Sequence, residues 1–432
     1  MNLPAHKVTT ANLGAAYPFM MSPSLDCGGV YIGRDLLGGS FTYDPFELYK
    51  QGVISNTNMI IFGQIGRGKS SFVKSYLWRQ SVFGRQAWVL DPKGEYDLLA
   101  KYWGVIPLKI YPSGPIRLNP LEDFGSYAHV GGSHTASAHT AGSHTGGSEA
   151  KEEYVRRCVE LLVALGSACL NRSLLPTENA ASQLAFEQAR QSNLHRQITI
   201  PDVVDALLNP THESARKINT DRQELAHMGR DLGLELRRLV VGDLKGMFDG
   251  PSSGGIDLSA PLVIIDLSRL YESHALGALM TCCLGWLNAL LSVPSATKRF
   301  IVIDEAWAIL RNLSISRWLQ SSWKLSRSRG VSNIAVLHRT SDLRSAGSMD
   351  SEQVSLASGL LSDSETKVIY SQPQSELENT KQLLGVSSTE AELLPNLRKG
   401  TGLWKVGRQS FLVEHRLGPA EYPMIDTDQR LR

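Results

Sequence analysis

A chain of 432 residues with 42% hydrophobic and 20% charged residues has the composition of a folded globular protein, long enough for two cores. A formal net charge of +2 excludes a strongly basic surface, so charge alone gives no reason to expect nucleic acid. Five scattered cysteines, with no CxxC pair and no zinc-type His/Cys spacing, exclude a disulfide or zinc framework and suit a reducing cytosol.

The opening residues, Met1-Asn2-Leu3-Pro4, carry neither the charged nor the apolar region of a signal peptide. Residues 1–50 are rich in Gly, Pro and aromatics and read as an N-terminal extended segment, with short runs such as Gly29 to Ile32. Asn58 to Phe62 reads as a buried strand, Ser70 to Gln80 as a helix, and Ala87 to Leu90 and Leu108 to Tyr111 as strands. Strand, helix and strand at this spacing form a βαβ unit, which implies a parallel sheet and the first part of an α/β domain over 51–125.

A low-complexity linker is expected over 126–150, where Gly131 to Ser148 repeats His-Thr every five residues among small residues. Its histidines, His134, His139 and His144, have no spacing that preforms a metal site. From Glu149 to Phe248 the apolar residues recur at helical spacing, so an all-α insertion is expected over 151–250. Thr199 caps the helix containing Pro201 to Leu208.

The sheet resumes over 251–432. Leu262 to Leu267, Phe300 to Ile303, Ile334 to Leu337 and Lys367 to Tyr370 read as strands, and Gly402 to Leu417 alternates like a hairpin. Between two of these strands lies Ala275 to Val293, nineteen residues without a charge. That is long enough to span a bilayer. A parallel crossover needs a helix at that place, however, and Asn288 sits within it, so a core helix is expected, its vicinal Cys282 and Cys283 being buried thiols.

Gly63-Gln64-Ile65-Gly66-Arg67-Gly68-Lys69-Ser70 fits GxxxxGK[ST] without a gap, after a buried strand and at the start of a helix. The glycines let consecutive N–H groups curl around phosphate oxygens at a helix N-terminus, with Ser71 continuing the first turn. Lys69 is expected to reach the β and γ phosphates of ATP, and Ser70 to bind Mg²⁺. Phe300 to Ile303 is an apolar strand ending in Asp304 and Glu305, at the edge where ligands of parallel sheets bind. Asp304 is expected to join Ser70 around Mg²⁺, and Glu305 to act as the catalytic base.

Asp91-Pro92-Lys93-Gly94-Glu95-Tyr96 ends the next strand in sequence and brings three charges toward the same crevice. In Ser326-Arg327-Ser328-Arg329-Gly330, either Arg327 or Arg329 could act on a neighbouring subunit's nucleotide in a ring, or simply form a solvated basic helix end.

The phosphate loop, the Asp91-to-Tyr96 strand end, the helical insertion and Ile303-Asp304-Glu305-Ala306-Trp307 resemble the HerA/FtsK superfamily. Trp307, together with the late Gly400-to-Gly407 and Met424-to-Asp428 segments, makes the chain similar to the TraC/TrbE-type ATPases of conjugation and type IV secretion. The resemblance implies a RecA-like P-loop fold with a mostly parallel sheet and an inserted all-α domain. It also implies a hexameric ring that hydrolyses ATP with Mg²⁺ at the inner face of a membrane, docked on secretion components. An FtsK-type DNA translocase or coupling protein is the alternative, with DNA threaded through the ring. A nucleotide-gated assembly module with little turnover is a third reading.

Two departures stand out. Such ATPases usually carry a large N-terminal membrane-docking domain, and here some 50 residues precede the nucleotide domain. Where the family often has a Thr-Gln pair, this chain has Leu337-His338-Arg339, followed by Ser341-Asp342-Leu343. His338 stands where the nucleotide-sensing glutamine is expected, and could bond a phosphate or the attacking water or be an ordinary strand-end histidine.

Overall fold

The computed structural model describes residues 25, 28–124, 146–293, 295–310, 313–338, 359–361 and 363–425. The N-terminal stretch before Leu25, Cys27, the linker from Gly131 to Thr145, Arg339 to Leu343 and Asp426 to Asp428 lie outside them.

Eleven strands form one sheet: β1 (Val30–Asp35), β2 (Ser40–Tyr43), β3 (Met59–Phe62), β4 (Gln86–Asp91), β5 (Leu108–Lys109), β6 (Leu262–Asp266), β7 (Arg299–Ile303), β8 (Val331–Leu337), β9 (Thr366–Ile369), β10 (Thr401–Val406) and β11 (Gln409–His415). Their order is β2-β1-β11-β10-β9-β3-β8-β7-β4-β6-β5. From β9 to β5 every pairing is parallel, whereas β10, β11, β1 and β2 extend the sheet antiparallel.

Each central strand is apolar on both sides because both faces are covered. Alternation sorts the side chains: Met59, Ile61, Val89, Val302 and Val336 face one core, while Ile60, Phe62, Leu90, Ile303 and Leu337 face the other. The helix Lys69–Gln80 covers the first face through Phe72, Val73, Tyr76 and Leu77. The second face carries the helix Leu276–Leu291 and the helical insertion, whose Leu161, Leu165, Phe186 and Val203 join the same continuous core. So the insertion packs into the sheet's own core and does not carry a detached one.

The charge-free segment is a core helix, as expected. In Leu276–Leu291 every residue but Gly277 is buried. Asn288 accepts a hydrogen bond from Ser322 Oγ at 2.7 Å, which satisfies its amide oxygen inside the protein. Gly285 lets the neighbouring helix approach, since a Cβ there would stand 2.4 Å from Leu161 Cδ2. Burial pushes the Cys282 and Cys283 thiols well above the ordinary range. Among the described residues no helix is long and apolar enough to cross a membrane.

Some boundaries differ from expectation. The run Leu108 to Tyr111 yields only the two-residue strand Leu108–Lys109, because β5 is an edge with one partner. The insertion's first helix begins at Gly146, inside the small-residue run, and its last helix ends at Arg237, so residues to Phe248 are turns and not helix. Thr199 does stand at the N-cap of Ile200–Leu208, its N–H and hydroxyl both donating to Asp202 Oδ2, at 2.9 and 2.7 Å.

Candidate active site

Parallel register brings the separated motifs to one rim. Phe62 pairs with Leu337, Ile303 with Ala335 and with Leu90, and Asp91 with Asp266. The residues that leave these carboxyl ends are Gly63, His338, Asp304 and Asp91, and β8 stands between the phosphate-loop strand and the acidic strand.

The loop's shape follows from its glycines. Gly68 caps the helix with φ of 105°, a left-handed setting that a Cβ disfavours, and it has no side chain to occupy the first-turn N–H groups. Gly63 lies against Tyr370, where a Cβ would approach the tyrosine Cβ to 2.5 Å. Lys69 is buried, and its ammonium donates to the carbonyls of Gly63 and of Gln64, the latter at 3.0 Å. Burial lowers its pKa to about 8, against the pull of Asp304 and Glu305. Ser70 and Ser71 follow in the first turn, half-buried.

Asp304 is buried, and its carboxyl is pushed up to about 7 by burial and by the nearby Asp91 and Glu305 charges. A buried acid set beside other carboxylates at the carboxyl edge of a parallel sheet suits a cation. Glu305 takes the left-handed backbone, φ 53°, which is uncommon outside glycine and costs about 1 kcal/mol or more. Its Oε1 receives Lys93 Nζ at 2.5 Å and His338 Nε2 at 2.6 Å, and its Oε2 accepts from the Trp307 indole. Burial alone would raise this carboxyl, yet the bonds from His338 and Lys93 outweigh it and hold it at about 2.

Of the three charges expected at the strand after the phosphate loop, Asp91 turns inward. Its carboxylate accepts the N–H groups of Lys93, Gly94, Glu95 and Tyr96 at 2.9–3.2 Å, so it shapes the turn that presents Lys93. Burial raises its pKa to about 6.

A cavity of about 490 Å³ opens on the loop, lined by Gln64, Ile65, Gly66, Arg67, His338 and Lys399. That is within the size range of small-ligand sites. Lys399 was not anticipated from sequence. Gly400 N–H donates to the Arg67 carbonyl at 3.0 Å and so ties the segment before β10 to the phosphate loop. The only trace in the sequence is a basic pair and a glycine, Arg398-Lys399-Gly400, at the start of an alternating run.

Arg327 and Arg329 precede β8, at the sheet edge opposite the phosphate loop. Arg329 pairs with Glu153 at 3.0 Å, while Arg327 is exposed, with its guanidinium 5.9 Å from the Tyr49 ring. Neither is brought to the site of its own chain.

The residues fit Mg²⁺ and a nucleotide. Uncapped first-turn N–H groups, an ammonium turned onto loop carbonyls and a buried acid near neutrality converge there. Among the described residues, His338 Nδ1 is also buried without a hydrogen-bond partner.

A glycine-rich loop between a parallel strand and a helix, with paired acids two strands away, defines a RecA-like P-loop nucleotide-binding fold. VirB4 of Thermoanaerobacter pseudethanolicus has this fold, with a TM-score of 0.71 at 20% identity, over 93% of this chain and 100% of that one. The plasmid coupling protein TrwB in complex with ADP and Mg²⁺ aligns with a TM-score of 0.58 at 13% identity, over 95% of this chain and 93% of that one. No family model matches. An uncharacterised Bacillus anthracis protein is 33% identical over 129 residues, 28% of this chain and 19% of the relative's own length. The fold expected from the motif resemblance is the one present.

Proposed function

We propose that the chain is a Mg²⁺-dependent ATPase that energises conjugative DNA transfer or type IV-like secretion. The observation that carries this reading is the meeting of Lys69, Asp304 and Glu305 at one rim, in a fold shared with the whole of the VirB4 structure. In this reading the loop N–H groups from Gly63 to Ser71 and Lys69 hold the phosphates. Ser70 and Asp304 hold Mg²⁺, which when bound shields the phosphate charge. Glu305 orients the attacking water and takes its proton, and His338 fixes the carboxylate.

In a ring of six copies, exposed Arg327 would suit action on a neighbour's nucleotide better than Arg329, which Glu153 engages. Docking at the inner face of a membrane on secretion components belongs to the same reading. So does the division into an extended 1–50, ATPase parts 51–125 and 251–432, a linker 126–150 and an all-α insertion 151–250. The TrwB likeness supports a second reading, a DNA-translocating coupling protein.

Steady-state ATPase with Mg²⁺, with and without DNA, tests both. Turnover that is lost in Lys69→Ala and Glu305→Gln, with Glu305→Gln still binding ATP, is expected. Indifference to DNA favours the secretion energiser and strong stimulation favours the translocase. ATP binding with hardly any turnover in the wild type would leave the gated assembly module instead.

A further inference from the structure

Lys93 has no part in the phosphate-loop chemistry as the motifs describe it, yet it is the cation nearest the base. Its ammonium lies 2.5 Å from Glu305 Oε1, 3.3 Å from His338 Nε2 and 5.6 Å from the Tyr271 ring centroid. Its side chain keeps 24% exposure, whereas the carboxylate it holds keeps 1%. With Lys93 and His338 on Oε1 and Trp307 on Oε2, the basicity of Glu305 is directed into the protein and not toward a water. The backbone beneath Lys93 is pinned by Asp91, so only its four-carbon side chain is at liberty to move.

Resting on the ATPase reading, we propose that Lys93 is a two-position switch: it holds Glu305 while no γ-phosphate is bound, and moves onto the γ-phosphate when ATP enters, which opens its place on Oε1 to the attacking water while His338 keeps the other. Two observations and the chemistry of phosphate support it. Lys93 Nζ lies 3.3 Å from His338 Nε2, and His338 lines the cavity over the phosphate loop, so Lys93 stands at the edge of that cavity. A terminal phosphate carries more negative charge than one carboxylate and offers three acceptor oxygens. His338 and Trp307 still hold Glu305 after Lys93 has left, so the base stays in place. ADP lacks the group that draws Lys93 away, so Lys93 makes the site discriminate ATP from ADP.

The test is calorimetric titration of a non-hydrolysable ATP analogue and of ADP, with Mg²⁺, into wild type, Lys93→Met and Lys93→Arg. Lys93→Met is expected to weaken the analogue about tenfold with ADP affinity within twofold of wild type, and Lys93→Arg, which keeps the charge, to restore most of the difference. An unchanged analogue-to-ADP ratio in Lys93→Met would overturn the switch and leave the ATPase reading intact. Failure of the wild type to bind either nucleotide would overturn both.

Discussion

The indole N–H of Trp307 donates to Oε2 of Glu305, two residues earlier in the chain. Glu305 stands in the left-handed backbone region, and Ala306 N–H is bonded to the Val336 carbonyl at 3.1 Å, so the strand end is turned and fastened to β8. The tryptophan thus fixes the carboxylate from the side away from Lys93 and His338. Trp307→Phe keeps an aromatic ring, though a smaller one, and removes the donor. A hydrogen bond to a charged group contributes about 1.5–3 kcal/mol. Turnover is expected to fall about tenfold or more with ATP affinity nearly unchanged, as read by single-turnover hydrolysis alongside equilibrium binding. Normal turnover would mean that the indole has no positioning role.

How far this site could be read in the sequence depends on whether its parts are contiguous. Gly63 to Ser70 declares its chemistry because a loop of this pattern binds phosphate through its own consecutive N–H groups. Asp304 and Glu305 were legible because an apolar strand ending in acids has a fixed edge in a parallel sheet. The Lys93 to Glu305 pair was not, since it depends on β4 lying beside β7, which sequence order does not determine. Lys399 was hidden for a related reason: it comes from the antiparallel extension, where β10 returns beside β9 and its approach folds onto Arg67. The tail hairpin itself was plain from its alternation, but its pairing onward to β1 was not.

Gly63 is needed for space. Ile369 pairs with Phe62, and Tyr370 N–H donates to the Phe62 carbonyl at 2.8 Å, so the two strand ends leave the sheet in contact. A methyl group at Gly63 would stand 2.5 Å from the Tyr370 Cβ, which is buried and anchored on the backbone. Overpacking of this kind costs about 1–3 kcal/mol. Gly63→Ala is expected to lower stability in urea unfolding accordingly, whereas Gly39→Ala, where a Cβ meets open space, should change it by less than about 0.5 kcal/mol. Equal effects from the two variants would show that the close approach is not what constrains Gly63.

His415 gives the fold an acid-sensitive contact away from the nucleotide. Ser75 Oγ donates to the Phe72 carbonyl at 2.9 Å, so His415 Nε2, 2.8 Å from that oxygen, must be the donor to it. The ring is therefore satisfied while neutral. Burial, with the Arg79 charge nearby, lowers its pKa to about 4 from an ordinary 6.5. A histidine whose folded pKa is depressed binds fewer protons than the unfolded chain. Its contribution is intact above about pH 6.5 and is lost as pH falls from there through 4, amounting to about 3 kcal/mol at the acid end. His415→Gln keeps a donor for Ser75 and cannot be protonated. Chemical unfolding of both proteins from pH 7.5 to 4 should show the variant less stable at neutral pH, with the gap closing and then reversing toward pH 4. Parallel stability curves would mean that another group carries the acid sensitivity.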